Sequence, residues 1–174
     1  EGNVLTSAAR PDLRRTVCFG RHLINLPEEL QLDGEVDLIY GLDKNFKVVR
    51  AAVLHAQGSQ RTFESLIDLK VSELTAAYDA DTPNKNLLAK TRRIDKDTAL
   101  IVGHKEPTMM GYYQVLVISR IGGAVGVFTE DVFSRDRLED IESNVLNVAQ
   151  HTRYMPDAQQ SKGTCVGPFI IDAG

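Results

Sequence analysis

A chain of 174 residues with 43% apolar and 25% charged residues fits one ordinary globular domain, or one domain with a tail, and is long enough to bury a core. Its net charge of −4 comes from interleaved acids and bases, so it lacks the basic stripe a nucleic-acid binder needs. No apolar run reaches the ~20 residues of a transmembrane helix, and the start at Glu1, with neither Met nor a signal segment, reads as a processed piece.

Residues 1–15 are polar and irregular and read as a leader. Leu23–Leu26 forms a short strand stopped by Pro27. Val36, Leu38, Tyr40 and Leu42 alternate with Asp37 and Ile39, the period of a strand. Asp43-Lys44-Asn45 turns the chain, and Phe46–Leu54 returns to complete a hairpin. Gly58-Ser59 breaks the pattern and offers a helix N-cap. Phe63, Leu66, Ile67, Leu74, Ala77 and Tyr78 then recur at helical spacing and predict an amphipathic helix over about 60–79.

The polar stretch 79–85, with Pro83, is a loop. Lys90–Ile94 and Thr98–His104 flank an Asp95-Lys96-Asp97 turn. Tyr112–Arg120 is the strongest strand. Its run Val115-Leu116-Val117-Ile118 predicts a central strand covered on both faces, or at least one with little solvent. Gly122-Gly123 is a tight turn and Ala124–Thr129 returns. Ser134 offers a cap for a last helix ending near His151, with Asp136 and Glu139 in its first turns and Leu138, Ile141, Val145 and Val148 on its buried face. The order predicts an α+β fold: an antiparallel or mixed sheet with two amphipathic helices packed on one face. The domain proper spans 16–155.

Residues 156–174 read as a linker followed by the start of a second, related domain, because the two ends of the chain echo each other. Cys18-Phe19-Gly20 precedes an apolar run ending at Asn25-Leu26-Pro27. Cys165-Val166-Gly167 precedes Pro168-Phe169-Ile170-Ile171-Asp172. Both cysteines of the chain sit in this echo. They are either a disulfide, worth roughly 4–5 kcal/mol in the chain-entropy model, or two buried free thiols. Neither a CxxC pair nor Cys/His spacing suggests a metal.

Catalytic patterns are missing. There is no G-x-S-x-G elbow, P-loop or HExxH, and Gly122-Gly123-Ala124-Val125-Gly126 leads into a strand where a nucleotide loop leads into a helix. His22, His55, His104 and His151 are scattered. Glu28-Glu29 and Glu139-Asp140 read as solvated faces. No catalytic residue, metal ligand or cofactor is therefore assigned. One segment suggests binding: Met109, Met110 and Tyr112 lie in the connection His104–Tyr113, and Met and Tyr are enriched at interface centres. The competing reading sends Met110 and one Tyr into the core.

The segment Cys18-Phe19-Gly20-Arg21-His22-Leu23-Ile24-Asn25-Leu26-Pro27 resembles the C-x-G-R-[YH]-L-[IV]-[DN]-L-P opening of the N-terminal domain of type VI secretion immunity proteins. Gly163–Asp172 resembles the opening of that family's C-terminal domain. These proteins neutralise lipase-type (phospholipase) antibacterial effectors. The resemblance implies two α+β domains that grip a secreted lipase-type toxin in the periplasm and block its active site, without catalysis. It implies membrane contact only through an anchor absent from this chain. An oxidising periplasm permits a Cys18–Cys165 disulfide. An alternative is an envelope ligand-binding or sensor domain, which predicts a preformed pocket. An enzyme with an unrecognised Glu, Asp or His arrangement has no motif behind it.

Overall fold

The computed structural model describes residues 14–27, 34–40, 47–76, 86–156 and 163–172. The expected leader up to residue 13, the Asp43-Lys44-Asn45 turn, the 79–85 loop and most of the expected linker lie outside these residues. The framework is a six-stranded, fully antiparallel sheet. Its strands are β3 (Glu35–Tyr40), β4 (Lys47–His55), β5 (Leu88–Asp95), β6 (Thr98–Glu106), β7 (Met109–Ile121) and β8 (Ala124–Val132). They lie side by side in the order β3-β4-β8-β7-β6-β5.

The central place of β7 follows from its composition. Val115, Leu116, Val117 and Ile118 are all buried, as two-sided cover demands. On one side Val115 and Val117 join Leu100, Val102 and Phe128. On the other, Leu116 and Ile118 join Ala99, Ile101 and Val125. The Gly122-Gly123 turn sets the β7–β8 register by pairing Ile121 with Ala124. Both glycines have positive φ, 63° and 117°, as tight hairpins require. A Cβ on Gly122 would meet the Tyr154 ring at 2.3 Å.

Helix α1 (Gln60–Ala76) starts where Ser59 Oγ accepts a hydrogen bond from the Thr62 N–H at 3.2 Å. Phe63 is its fully buried anchor, with Leu66, Ile67, Val71 and Leu74 packed beside it. Helix α2 (Leu138–Gln150) follows a 3-10 turn at Arg135–Arg137. Ile141, Val145, Val148 and Ala149 form its buried side.

The two helices cover opposite faces of the sheet, where the sequence predicted one shared face. The physical reason lies in β6 and β7. With alternate residues pointing to opposite sides, consecutive apolar residues need a cover on each, and one helix supplies each cover. Ser134 also departs from expectation: it precedes the 3-10 turn and makes no side-chain cap hydrogen bond.

The face that carries α2 also carries a small antiparallel sheet of β9 (Thr152–Tyr154), β10 (Thr164–Val166) and β11 (Phe169–Ile171), in the order β10-β11-β9. Val166, Phe169 and Ile171 are buried in the same core as α2. A hairpin of β1 (Arg14–Phe19) and β2 (His22–Pro27) completes the described fold. Its first strand begins within the stretch expected to be a leader.

The echo of the two chain ends is also structural. Phe19 pairs with His22 across Gly20-Arg21, and Val166 pairs with Phe169 across Gly167-Pro168. Each is a two-residue hairpin turn opening on a glycine of positive φ, 61° at Gly20 and 52° at Gly167. The hairpins lie side by side: Gly20 and Cys165 bridge them, and the Cα atoms of Cys18 and Cys165 are 5.7 Å apart, a spacing usual for bonded cysteines.

Candidate interaction surface

The structure makes the Met-Tyr segment strand, where the sequence suggested an apolar loop. Glu106 pairs with Met109, so only Pro107-Thr108 forms the turn. Alternation divides the three singled-out residues. Met110 and Tyr112 share the face of Gln114 and Leu116, the face α1 covers further along. Met109 belongs to the opposite set with Tyr113. Met109 is exposed, Met110 half-buried, and Tyr113 buried in the α2 core.

Tyr112 is the residue the fold builds upon. Its ring stacks on Phe133 with centroids 4.5 Å apart and planes 12° from parallel. Its hydroxyl donates to Asp131 Oδ2 at 3.0 Å. Lys105 Nζ lies 3.2 Å from the same carboxylate and 5.6 Å from the Tyr112 ring centroid. Gln114 Nε2 donates to Asp131 Oδ1 at 3.1 Å. Burial of the ring first, and then the hydrogen bond to Asp131, push the phenol above its ordinary pKa. Phe133 is 77% exposed, more than any other large apolar residue described. A rigid aromatic pair held by a satisfied carboxylate is the kind of pre-ordered feature that anchors protein interfaces.

Phe133, Asp131 and Lys105 escaped the sequence reading, although the signal was present. Counting outward equally from the Gly122-Gly123 turn sets residue 112 opposite residue 133 and residue 114 opposite residue 131. The structure has that register.

Beside the aromatic pair, an open cleft of about 370 Å³ lies between β4 and β8. The ladder between these strands runs from His55–Val125 to Arg50–Thr129. Beyond that pair, Val48 on one side and Glu130, Asp131 and Val132 on the other line the cleft. Arg50 Nε donates to Asp37 Oδ1 at 2.9 Å and lies 3.3 Å from Glu35, which raises the guanidinium pKa further. Glu130 is only 8% exposed. It accepts a 2.8 Å hydrogen bond from Asn144 Nδ2 on α2 and another from the Val48 backbone N–H. Burial pushes its carboxyl above the usual range, against these hydrogen bonds.

The four histidines remain apart. His22, His55 and His151 are exposed, and His104 is half-buried with its ring 4.7 Å from Tyr113 on the α2 face. Among the described residues no three His, Cys, Asp or Glu side chains converge as metal ligands, and no helix is long and apolar enough to cross a membrane.

No protein-family model matches the chain, and neither does any curated protein. Solved structures do. The apo immunity protein TplEi of T6SS from Pseudomonas aeruginosa aligns over 91% of this chain with a TM-score of 0.64 at 16% identity. A chain of the Tle4-Tli4 complex aligns over 91% with a TM-score of 0.63 at 17% identity. TplEi complexed with "L" peptide gives 0.53 at 14% identity. The likeness is one of fold. The chain spans about half the length of each of these structures, 50%, 50% and 48%.

Proposed function

We propose that this chain is a binding module of an immunity protein directed against an effector of type VI secretion. The observation that carries the reading is the fold likeness to such proteins over 91% of the chain. The resemblance of Cys18–Pro27 and Gly163–Asp172 to the openings of two immunity domains supports it independently, since it rests on residues where the other rests on topology. In this reading the module is one of two related domains. Its target is a lipase-type toxin met in the periplasm, and it acts by blocking the toxin's active site, with no chemistry of its own.

The surface we assign to the toxin centres on Tyr112 and Phe133, with Met110 on the same face of β7; the exposed Met109 points to the other face. Cys18 and Cys165, in this reading, are bonded and hold the two hairpins together. The volume of the cleft reaches the lower end of small-molecule sites, which bears on the alternative of an envelope ligand-binding domain. Its lining favours a protein partner. Small-molecule sites are mainly apolar with a few polar groups, whereas Asp37, Arg50, Lys105, Gln114, Glu130, Asp131 and Arg137 make this one predominantly polar and charged.

The test is capture from envelope extract of the source organism with the immobilised chain. Recovery of a lipase-fold toxin that loses activity in the complex is the expected result. Recovery of a small molecule and no protein partner would transfer the assignment to the ligand-binding reading.

A further inference from the structure

The two edges of the six-stranded sheet are built differently. Strand β5 is guarded in ways that edges usually are. Its ladder with β6 shifts between Leu88 and Lys90 and again between Arg93 and Asp95, and Lys90, Arg92 and Arg93 are exposed along it. Strand β3, at the other end of the order, lacks both devices. Its residues Glu35–Tyr40 include neither Pro nor a basic side chain, and they pair with β4 without a register shift. An antiparallel edge strand turns every second N–H and C=O outward. Among the described residues, no backbone group outside β4 bonds to β3. Val36 and Leu38 belong to the α2-side core, so Glu35, Asp37 and Ile39 alternate onto the α1 face. Ile39 is 63% exposed there.

We propose that the outer edge of β3 receives an extended segment of the protein partner as an added strand, with a Lys or Arg opposite Asp37 and apolar residues opposite Val36 and Leu38. The identity of the partner rests on the immunity reading. Strand addition satisfies the outward backbone groups of the edge, and cross-strand side-chain pairs select the sequence. Glu35 and Asp37 share one cation, Arg50, at 3.3 and 2.9 Å. One negative charge is thus left at this edge of the α1 face, and a basic residue on the added strand answers it. Apolar residues on its other side extend the α2-side core past Val36 and Leu38. The same two acids turn away a second copy of this chain. Antiparallel copies with matching faces, centred on Val36 or Asp37, set carboxylates directly opposite each other. Centred on Leu38, they make the two Asp37 side chains diagonal neighbours. Like charges so placed are unfavourable.

The test titrates the full chain with the peptide acetyl-Lys-Val-Lys-Val-Lys-Val-amide, followed by amide chemical shifts. Two control peptides run in parallel: one carries Glu in place of Lys, and one is N-methylated throughout and can donate no backbone hydrogen bond. Expected are shifts centred on residues 35–39, half-saturating on the order of 1 mM. Both controls should bind at least about tenfold more weakly. Shifts centred elsewhere, or a control that binds as well as the Lys peptide, would overturn the proposal without depending on any variant's folding. Hydrogen exchange of the free protein adds a second check. Every second amide of β3 should exchange rapidly, and uniform protection would show the edge already covered. A dimer whose formation protects β3 would give the edge to a second copy, against the proposal. In the complex with captured toxin the outward β3 amides should gain protection. If they exchange as in the free protein, strand addition falls and the immunity reading stands. If no toxin is captured, the immunity reading falls, while the peptide titration still decides whether the edge accepts a strand.

Discussion

Gly20 and Cys165, far apart in the chain, exchange two backbone hydrogen bonds: Gly20 N–H to Cys165 C=O at 3.0 Å and Cys165 N–H to Gly20 C=O at 2.7 Å. This pair joins the β1–β2 hairpin to the small sheet on the α2 face, and it sets Cys18 beside Cys165. If the cysteines are bonded, as proposed, the hairpin is tied to the core through β10 and β11, whose Val166, Phe169 and Ile171 are buried.

The bond should therefore matter for stability. Cross-linking residues 147 apart removes loop entropy worth on the order of 5 kcal/mol from the unfolded chain. Cys18→Ala, or reduction, should lower the melting temperature markedly. Non-reducing peptide mapping should recover the two cysteine peptides as one species. Recovery of two free thiols from oxidised protein would remove the disulfide from the account.

Phe169 tests the attachment of the C-terminal strands. It is fully buried, and its ring approaches the space a Cβ on Gly126 would fill, at 2.7 Å. Phe169→Ala should cost about 3–5 kcal/mol in denaturant unfolding, as large aromatic truncations in cores do. A loss below about 1 kcal/mol would mean that these strands do not share the main core.

Glu130 sets a pH dependence whose sign follows from its burial. Its folded pKa is raised, so the folded state holds the proton more firmly than the unfolded chain. Its contribution favours folding below the unfolded value of about 4.3 and is lost as pH rises through the folded value. Glu130→Gln should thus stabilise the protein at pH 7. The advantage should vanish below about pH 4. Unfolding midpoints of both proteins across that range measure it. A variant less stable than wild type at neutral pH contradicts the claim that burial dominates.

The aromatic pair separates binding from folding. Phe133 is largely exposed, so Phe133→Ala should change stability by no more than about 0.5 kcal/mol. Its effect on affinity for the toxin should exceed tenfold, about 1.4 kcal/mol, if it anchors the interface. Tyr112→Ala should act similarly on affinity and cost more stability, because Asp131 loses a hydrogen-bond donor. Unchanged affinity in both variants would move the interface elsewhere on the chain.

Much of this fold was legible in the sequence because its signals are local. The Ser59 cap, the Gly122-Gly123 hairpin and the periodicity of both helices depend on residues close in sequence. The apolar run Val115–Ile118 pointed to a central strand with little solvent around it. Which helix covers which face was not legible, since periodicity tells which residues are buried and not what lies over them. The aromatic pair was hidden for a related reason. Phe133 reads as the end of a strand until the register sets it beside Tyr112. The cleft arises where β4 and β8 part beyond Arg50 and Thr129, a property of two strands distant in sequence.

In the proposed reading this chain neutralises a type VI effector by binding it. The most direct measurement is the lipase activity of the captured effector, titrated with the protein, compared with Phe133→Ala and Tyr112→Ala. The account predicts loss of activity that saturates at a fixed stoichiometry, with both variants requiring higher concentrations. Full effector activity in the presence of bound wild-type protein would contradict it.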